Sequence, residues 1–368
     1  MKEMKITPWE VEGELDYDRL IKQFGTTPIS KDILEKLKDC HPILRRGLYF
    51  SHRDFDKWLK ASAQGKKVSV IIGRGPSQKM HIGHLIPFIV AKSLQDKFNC
   101  DVYIPISDDE KFFVKKDLTQ EDAMKYSKDN ILDLIALGFN PKKTFIFQDF
   151  VYTDIYRYAA LIAKKITYSQ VKAIFGLTPE KNIGWSFYPA VQAAHILYPQ
   201  FHTRPHLTVT PTGIDQDPFI RLTRDIATGK EINLEKPTAI HSKFIPSLYG
   251  ESKMSSSGNG VIFLSDDPET IKKKINKYAF SGGQVSIDMH RKHGGNTEID
   301  VSFQYLKAIF ESDDKKLEDI KQKYEAGLML TGELKAILID KINAFLKEHK
   351  IKKKAAEKIV SKFIIKNS

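Results

Sequence analysis

The sequence predicts an α/β protein with a parallel sheet, preceded by an N-terminal extension and followed by an all-helical C-terminal part. Between about residue 66 and residue 225, short apolar runs alternate with helical stretches. Such alternation favours parallel strands joined by crossover helices. Beyond about residue 265, one helical stretch follows another without a convincing strand. The chain has 368 residues, which is long enough for two domains and an extension.

The first 60 residues are mixed and charged, with short apolar clusters such as 47–50. We expect this extension to pack on the main body without a core of its own. The alternating part that follows contains predicted strands at 68–72, 102–106, 144–147 and 207–211. Predicted helices accompany them at about 83–98, 120–137, 153–175 and 187–198.

Two further helix starts carry local signals. The stretch TQED (119–122) is typical of a helix cap. In DQDPFIRLTRD (215–225), Asp is a good N-cap and Pro is favoured at the first helical position, so we predict that Asp217 caps a helix.

The charge balance of the chain is basic. Lys and Arg number 58 against 46 Asp and Glu, giving a formal net charge of +12. This excess suggests a polyanionic partner, although basic proteins without such a partner are common. Residues 340–368 hold nine lysines against three acidic residues.

Features of secreted or membrane proteins are not expected. Cys40 and Cys100 are the only cysteines and neither belongs to a CxxC pair, which argues against a disulfide framework or a zinc knuckle. The N-terminus has acidic residues where a signal peptide needs an apolar stretch. The longest apolar run, 85–91, is too short to cross a bilayer. We therefore expect a cytoplasmic protein with no membrane partner.

The stretch GRGPSQKMHIGH (73–84) follows the first predicted strand. It is not a dinucleotide-binding fingerprint, because Gln78 stands at the third glycine position. His81 and His84 lack the accompanying carboxylate or cysteine that a metal site needs, so we predict no metal ligands here. Proline is tolerated in the first turn of a helix, so Pro87 predicts that both histidines lie at or just before a helix N-terminus.

A helix N-terminus of this kind suits a phosphate. Free backbone N–H groups and the positive end of the helix dipole favour anions. Gly83 lacks a β-carbon and would let a flat base lie against the backbone between the two imidazoles. On spacing alone, two surface histidines at a helix start are the favoured alternative.

A second stretch, SKMSSSGNG (252–260), places one lysine before three serines and two glycines. This composition is typical of a mobile loop that grips phosphate, although such loops are common. HIGH and KMSSS in this order, with strands and helices between them, resemble the signature pair of the class I aminoacyl-tRNA synthetases.

Within that class, the chain resembles the tryptophanyl-tRNA synthetases of the archaeal and eukaryotic branch over nearly its whole length. The strings that carry the resemblance include GRGPSQKMHIGHLIPF (73–88), SDDEKF (107–112), PAVQAA (189–194), GIDQDPFIRLTRD (213–225), KMSSS (253–257), NKYAFSGGQ (276–284), HGGN (293–296) and LTGELK (330–335). The resemblance implies an extension over 1–60, a class I Rossmann-like catalytic domain over 61–262 and a helical anticodon-binding domain over 263–368.

The resemblance implies a two-step reaction with ATP and a phosphate-bound Mg²⁺. The carboxylate of tryptophan attacks the α-phosphate of ATP, pyrophosphate leaves, and the acyl group passes to the terminal ribose of tRNA(Trp). His81, His84 and Lys253 are the implied catalytic residues. The implied ATP-binding residues are Arg74, Gly75, His81, Gly83, His84, Asp215, Lys253, Met254, Ser255, Ser256 and Ser257. Positioning and charge neutralisation dominate phosphoryl chemistry of this kind.

For the amino acid, the resemblance implies Glu110, Gln192 and Gln216 at the α-amino and carboxylate groups. A carboxylate for an ammonium and amides for neutral hydrogen bonds are reasonable on charge grounds. Tyr188 would line the indole pocket. Two alternatives remain open: Glu110 as a solvated loop acid and Tyr188 as ordinary core packing.

Two positions depart from the family pattern. Related enzymes usually carry a tyrosine where Ile71 stands, and many carry a polar residue where Pro105 stands. Neither side chain here can contact the indole N–H. Losing that contact should weaken discrimination against other flat side chains, so we expect another acceptor.

The resemblance also implies a homodimer. The lysines Lys352, Lys353 and Lys354 suit contacts with tRNA phosphates, or else form a solvated face. Three other functions stay open at this point: a nucleotidyltransferase with the same histidine turn, a tyrosine-specific ligase, and a non-catalytic paralogue that binds tRNA. Intact His81, Gly83, His84 and Lys253 argue against the paralogue.

Overall fold

The computed structural model describes residues 5–6, 11–12, 16–250 and 260–367. Strands β1 (Lys5–Ile6) and β2 (Val11–Glu12) form a small antiparallel sheet. The strands of the main sheet are β3 (Thr27–Pro28), β4 (Tyr49–Arg53), β5 (Val68–Ile71), β6 (Asp101–Ile106), β7 (Thr144–Gln148), β8 (Leu207–Gly213) and β9 (Thr238–Ser242).

Helices flank this sheet and make up the C-terminal part. They are α1 (Tyr17–Phe24), α2 (Lys31–Lys36), α3 (Phe55–Ala63), α4 (Ile82–Phe98), α5 (Asp108–Val114), α6 (Gln120–Ile135), α7 (Ile155–Ala163), α8 (Tyr168–Phe175), α9 (Ile183–His202), α10 (Asp217–Ala227), α11 (Pro268–Tyr278), α12 (Ile287–His293), α13 (Val301–Tyr305), α14 (Asp314–Glu325) and α15 (Thr331–Ala356). A π-helix, Leu306–Phe310, continues α13. In the described part of the chain beyond residue 265, every named element is a helix, as predicted.

The predicted α/β fold class is confirmed, with a sheet that is mostly parallel. Its strand order is β3-β4-β9-β8-β5-β6-β7. The five strands β5 to β9 run parallel to one another. The first two strands, β3 and β4, join antiparallel at one edge. The N-terminal extension therefore supplies two strands of the main sheet, which its charged composition did not predict.

The extension also shares the main hydrophobic core. Trp58 of α3 is fully buried, and its indole N–H donates to the Ser69 carbonyl on β5 at 3.0 Å. Ile33 of α2 lies in the same core as Val70 and Leu85. The extension therefore packs on the main body, as expected, and contributes to one continuous core.

Helix boundaries follow from local signals, with two corrections. Thr119 caps α6 as predicted, because its hydroxyl accepts from the Asp122 N–H at 3.1 Å. The helix predicted over 153–175 is instead two helices, and Thr167 starts the second by accepting from the Gln170 N–H at 3.2 Å. Asp217 is the first residue of α10 and not its N-cap; Gln216 occupies the cap without a side-chain hydrogen bond.

The helical C-terminal part contacts the sheet domain through ion pairs. His349 Nε2 lies 2.9 Å from Asp133 Oδ1, and Lys353 Nζ lies 2.8 Å from Asp129 Oδ1. Lys353 therefore pairs with the sheet domain and is not part of a solvated face. Lys352 pairs with Glu348 at the surface. A contact between these lysines and tRNA phosphates stays a prediction.

Close backbone packing accounts for glycines in two of the strings that carry the resemblance, HGGN and AFSGG. In HGGN, Gly294 has a left-handed φ of 68°, and a β-carbon there would overlap the Glu325 carbonyl. In AFSGG, a β-carbon on Gly282 would overlap the Asn296 carbonyl. Backbone therefore packs directly on backbone at these positions, and both strings have a structural role in the helical part.

None of the helices in the described ranges is long and apolar enough to cross a membrane.

Candidate active site

A cleft of about 1020 Å³ opens at the carboxyl ends of β5 and β8. The chain runs from β5 outward to β6 and β7, then returns to place β8 on the other side of β5. This reversal is a topological switch point, where open α/β sheets bind ligands. Ten predicted site residues line this single cleft: Arg74, Gly75, His81, Gly83, His84, Glu110, Tyr188, Gln192, Asp215 and Gln216.

The two histidines lie at the start of α4, as predicted. His81 is the residue before the helix, and its backbone N–H donates to His84 Nδ1 at 3.2 Å. Nδ1 of His84 must therefore lack a proton, which leaves Nε2–H as the donor of a neutral ring. The rings stack with centroids 3.5 Å apart. Pro87 lies in the second turn of α4, so the helix begins slightly earlier than the proline rule alone indicates.

Both histidines are neutral in the ligand-free cleft. Burial and the nearby Arg74 charge lower the pKa of His81 to about 3. Burial, Arg74 and His81 lower the pKa of His84 well below its ordinary value. The turn therefore offers N–H donors, while Arg74 and Lys111 supply positive charge beside it.

Arg74 is 8% exposed and lies on the segment that follows β5. Its Nε donates to Asn130 Oδ1 at 2.9 Å and its Nη1 to the Gly75 carbonyl at 2.7 Å. Nη2 is buried without a hydrogen-bond partner among the described residues. Burial lowers the pKa of Arg74 to about 10, although Glu110 and Asp133 act in the opposite direction. A buried cation with an unused donor is a ready anion site.

Gly75 allows the Glu110 and Lys111 side chains to approach the backbone closely. A β-carbon at this position would lie 2.5 Å from Glu110 Oε2 and 2.6 Å from Lys111 Cε. A larger residue here would require these two side chains, which form an ion pair at 2.7 Å, to shift. Gly83 is the second residue of α4 and is partly exposed at the cleft.

The side chains predicted for the amino acid form a second group at the other end of the cleft. Tyr188 is buried, and its hydroxyl donates to Gln192 Oε1 at 2.7 Å. Burial raises the pKa of Tyr188 well above its ordinary value, so the phenol stays protonated. Asp215 is 4% exposed and accepts from Gln216 Nε2 at 3.0 Å. Glu110 connects this group to Arg74, because its charge raises the pKa of that guanidinium.

The predicted loop residues Lys253, Met254, Ser255, Ser256 and Ser257 lie outside the described residues. The chain that follows this loop does reach the histidine turn. The Ile82 N–H donates to the Ile262 carbonyl at 3.0 Å, and the Leu264 N–H donates to the Met80 carbonyl at 2.9 Å.

Ile71 and Pro105 do not face the cleft with polar groups. Ile71 is 2% exposed and packs in a core with Tyr103, Phe147 and Val191. The Pro105 carbonyl accepts from the Arg74 N–H at 2.9 Å.

Several cleft residues were not predicted from the sequence. Lys111, Trp185 and Phe219 line the cleft, and Ser107 lies at the end of β6. The stretch SDDEKF contains Ser107 and Lys111, so its position after a strand was a usable signal. Trp185 and Phe219 lie in helices with no local pattern to mark them.

The family described as class I tRNA synthetases (W and Y) matches residues 63–347. Tryptophan–tRNA ligase of Sulfurisphaera tokodaii is 51% identical over 98% of this chain and 95% of its own length. The ligase of Saccharolobus solfataricus is 50% identical over the same shares. Among solved structures, tryptophanyl-tRNA synthetase of Plasmodium falciparum is 40% identical with a TM-score of 0.87, covering 95% of this chain and 97% of its own. The Encephalitozoon cuniculi enzyme bound to tryptophan is 35% identical with a TM-score of 0.86, over 96% and 98%.

Proposed function

The chain belongs to the class I tryptophanyl-tRNA synthetases, and on that premise we propose that the cleft above β5 and β8 is where tryptophan is activated. The protein is an ATP-dependent tryptophan–tRNA ligase. It joins tryptophan to AMP with release of pyrophosphate and then transfers the amino acid to the 3′-terminal adenosine of tRNA(Trp). The observation that supports the site is the meeting of Arg74, His81 and His84 with Glu110, Tyr188 and Gln192 in one cleft.

In the first step, a carboxylate oxygen of tryptophan bonds to the α-phosphorus of ATP. The bond from that phosphorus to the bridging oxygen breaks, and pyrophosphate departs with the electron pair. His84 donates from Nε2, His81 donates from its own ring N–H, and Arg74 supplies positive charge through Nη2. Fixed donors of this kind stabilise charge that develops in the transition state.

Lys253 would neutralise the leaving pyrophosphate, with Ser255, Ser256 and Ser257 as further donors. The bond between Ile82 and Ile262 holds the end of that loop beside the histidine turn. Mg²⁺ would be held mainly by phosphate oxygens.

Glu110 would receive the ammonium group of tryptophan. Its Oε1 is engaged by Lys111, so the ammonium binds at Oε2 or displaces Lys111. Gln192 and Gln216 would bind the polar groups of the amino acid, and Asp215 would approach the ribose. Adenine would lie against the backbone at Gly83.

We further infer that 263–368 binds the anticodon arm, that 61–262 is the catalytic domain, and that the protein works as a homodimer in the cytoplasm. The basic surface of the C-terminal part supports the tRNA contact. The family supports the other assignments.

The test is amino-acid-dependent exchange of pyrophosphate into ATP, run with tryptophan and tyrosine in parallel. Exchange with tryptophan alone is expected. Exchange with tyrosine alone would support a tyrosine-specific ligase, and no exchange with either would favour a binding protein.

The role of Lys253 has its own test. Lys253→Ala should lower the activation rate on the order of 10²-fold while tryptophan affinity stays the same. Equal losses in both would contradict a contact made only in the transition state.

A further inference from the structure

A chain of buried polar side chains, here called the buried relay, lies directly behind the amino-acid end of the cleft. It consists of Asp109, Asp149, His195, Gln192 and Tyr188. Asp109 and Asp149 are fully buried and hydrogen-bond to each other. His195 Nε2 lies 2.9 Å from Asp149 Oδ1. His195 Nδ1 lies 3.4 Å from Gln192 Oε1.

The buried relay carries no cation. In the described part of the chain, neither Asp109 nor Asp149 pairs with a lysine or arginine. Burial raises the pKa of both carboxyl groups well above the ordinary value, and the charge of Asp149 raises that of Asp109 further. Burial also lowers the pKa of His195 to about 4. Burial therefore disfavours the charged form of Asp109, Asp149 and His195 alike.

The other charged and titratable groups around His195 are few. Asp108 and Glu110 of α5 raise the pKa of His195 less than burial lowers it. Tyr156 of α7 donates to Asp109 Oδ2 at 3.2 Å. These neighbours are acidic or phenolic, so none of them competes with His195 as a donor toward Gln192.

Of the two relay residues that contact His195, which are Asp149 and Gln192, only Gln192 also faces the cleft. Gln192 lines the cleft, whereas His195 does not belong to the described lining. The Gln192 amide has a donor end and an acceptor end, and its neighbours decide which end faces outward. The Tyr188 hydroxyl already donates to Oε1. A proton on His195 Nδ1 would add a second donor to the same oxygen.

The proton on His195 therefore determines the orientation of the amide. If Nδ1 carries it, Oε1 is held by two donors and the NH₂ group turns toward the cleft. If Nε2 carries it, the lone pair of Nδ1 faces Oε1, and the amide is better turned around. The structure has the first arrangement, because the Tyr188 hydroxyl donates to Oε1. Nε2 of His195 is then an acceptor, and Asp149 Oδ1, which lies 2.9 Å from it, is the donor.

We propose that His195 and Asp149 are positioning residues that fix the Gln192 amide with its NH₂ group toward the cleft, as a donor to the bound amino acid. This inference rests on the proposed function of the cleft. It assigns part of the substrate selectivity to the buried relay, because Ile71 and Pro105 offer no polar side chain of their own.

The experiment measures tryptophan binding by calorimetry and pyrophosphate exchange in the full-length protein and in a double-mutant cycle. The variants are His195→Leu, Gln192→Met and the combination of the two. His195→Leu should weaken tryptophan binding about tenfold, since one lost hydrogen bond is worth about 1.4 kcal/mol. The KM of the His195→Leu variant for ATP should stay within about twofold of that of the unaltered protein.

The combination separates a positioning role from a general loss of structure. In the Gln192→Met background, His195→Leu should change tryptophan affinity less than about twofold, because the amide it positions is gone. His195→Asn can still donate to Oε1 and should bind within about threefold of the original. As a matched control, His206→Leu removes another buried histidine, which hydrogen-bonds Ser69 away from the cleft. It should lower stability and leave tryptophan affinity unchanged.

A second measurement needs no variant. Nitrogen-15 NMR of histidine-labelled protein with tryptophan bound should show His195 protonated on Nδ1, and protonation on Nε2 would overturn the inference. The inference is also overturned if His195→Leu binds tryptophan normally, or loses tenfold in both backgrounds. If the unaltered protein neither binds nor exchanges tryptophan, the proposed function fails first and this inference fails with it.

Discussion

Two buried carboxyl groups, Asp149 and Asp217, have pKa values shifted in opposite directions, although both are 0% exposed and both contact a histidine. Asp217 receives two hydrogen bonds from Arg53, at 2.6 Å and 2.7 Å. Burial alone would raise its pKa, but Arg53 and His241 outweigh burial and lower it. Asp149 has no such partner, and burial raises its pKa.

The difference shows that burial does not decide the state of an acid; its partner does. Arg53 lies on β4 and Asp217 begins α10, so the charged pair fastens the N-terminal extension beside the turn that carries Asp215 and Gln216. In our proposal, the pair of Asp149 and His195 instead orients the Gln192 amide. One cluster serves stability and the other serves recognition.

Removing the Arg53 guanidinium should have the largest effect on the free energy of unfolding. Arg53→Met leaves Asp217 buried without its main partner and opens the bonds from Arg53 to the Phe24 and Gly25 carbonyls. We expect a loss of about 4 kcal/mol in the free energy of unfolding, as for other broken buried pairs. Chemical denaturation followed by circular dichroism measures it.

The control for that substitution is Arg221→Met. Arg221 also approaches Asp217, at 3.6 Å, but its side chain is 49% exposed. It should cost less than about 0.5 kcal/mol. A similar loss from both arginines would mean that the bidentate bond is not what holds Asp217 charged.

Paired amide substitutions should separate the two acids directly. Asp217→Asn removes a charge that Arg53 needs and should cost about 3 kcal/mol. Asp149→Asn replaces a group whose charged form burial disfavours, so it should cost less than about 1 kcal/mol or stabilise the protein. Unfolding curves at pH 7 compare them. Equal losses would refute the contrast between the two clusters.

The two buried guanidinium groups allow a functional form of the same comparison. Arg53 makes four hydrogen bonds, whereas Nη2 of Arg74 has no partner among the described residues. Arg74→Met should lower kcat/KM for ATP on the order of 10²-fold, with a loss of stability below about 1 kcal/mol. Arg74→Lys keeps the charge and should recover part of the activity. Exchange kinetics with varied ATP provide the measurement.

Much of the fold follows from the sequence because apolar runs report buried parallel strands. The predicted strands at 102–106 and 144–147 match β6 and β7 to within one residue. In contrast, β4 and β9 were not predicted. Their buried faces carry Ser51 and His241, which hydrogen-bond to each other across the strands at 3.2 Å. A buried polar pair does not show in an apolar pattern.

The candidate site also contains residues that the sequence could predict and residues that it could not. Residues within one motif, such as Arg74, His81 and His84, could be predicted because the turn that joins a strand to a helix positions all of them. Asp149 and His195 could not, since they are 46 residues apart and only the fold brings them together. The break between α7 and α8 was missed for another reason: the sequence there contains no glycine or proline.

The smallest expected effect is on the pH dependence of stability. Asp217 has a lowered pKa in the folded state, so its contribution is present above its ordinary pKa and is lost only at more acidic pH. Asp149 has a raised pKa in the folded state. At a pH above the ordinary pKa of an aspartate, the unfolded chain therefore releases a proton that the folded protein keeps. The free energy of unfolding then falls as the pH rises. Between pH 4.5 and 5.5, Asp149→Asn should gain about 1 kcal/mol relative to the original protein, near the limit for one proton. Asp217→Asn should show no such gain. Denaturation curves at both pH values measure this difference. Subtracting the curve of the original protein removes the contribution of the histidines, which all variants share. Parallel profiles for both variants would show that the two carboxyl groups share one charge state.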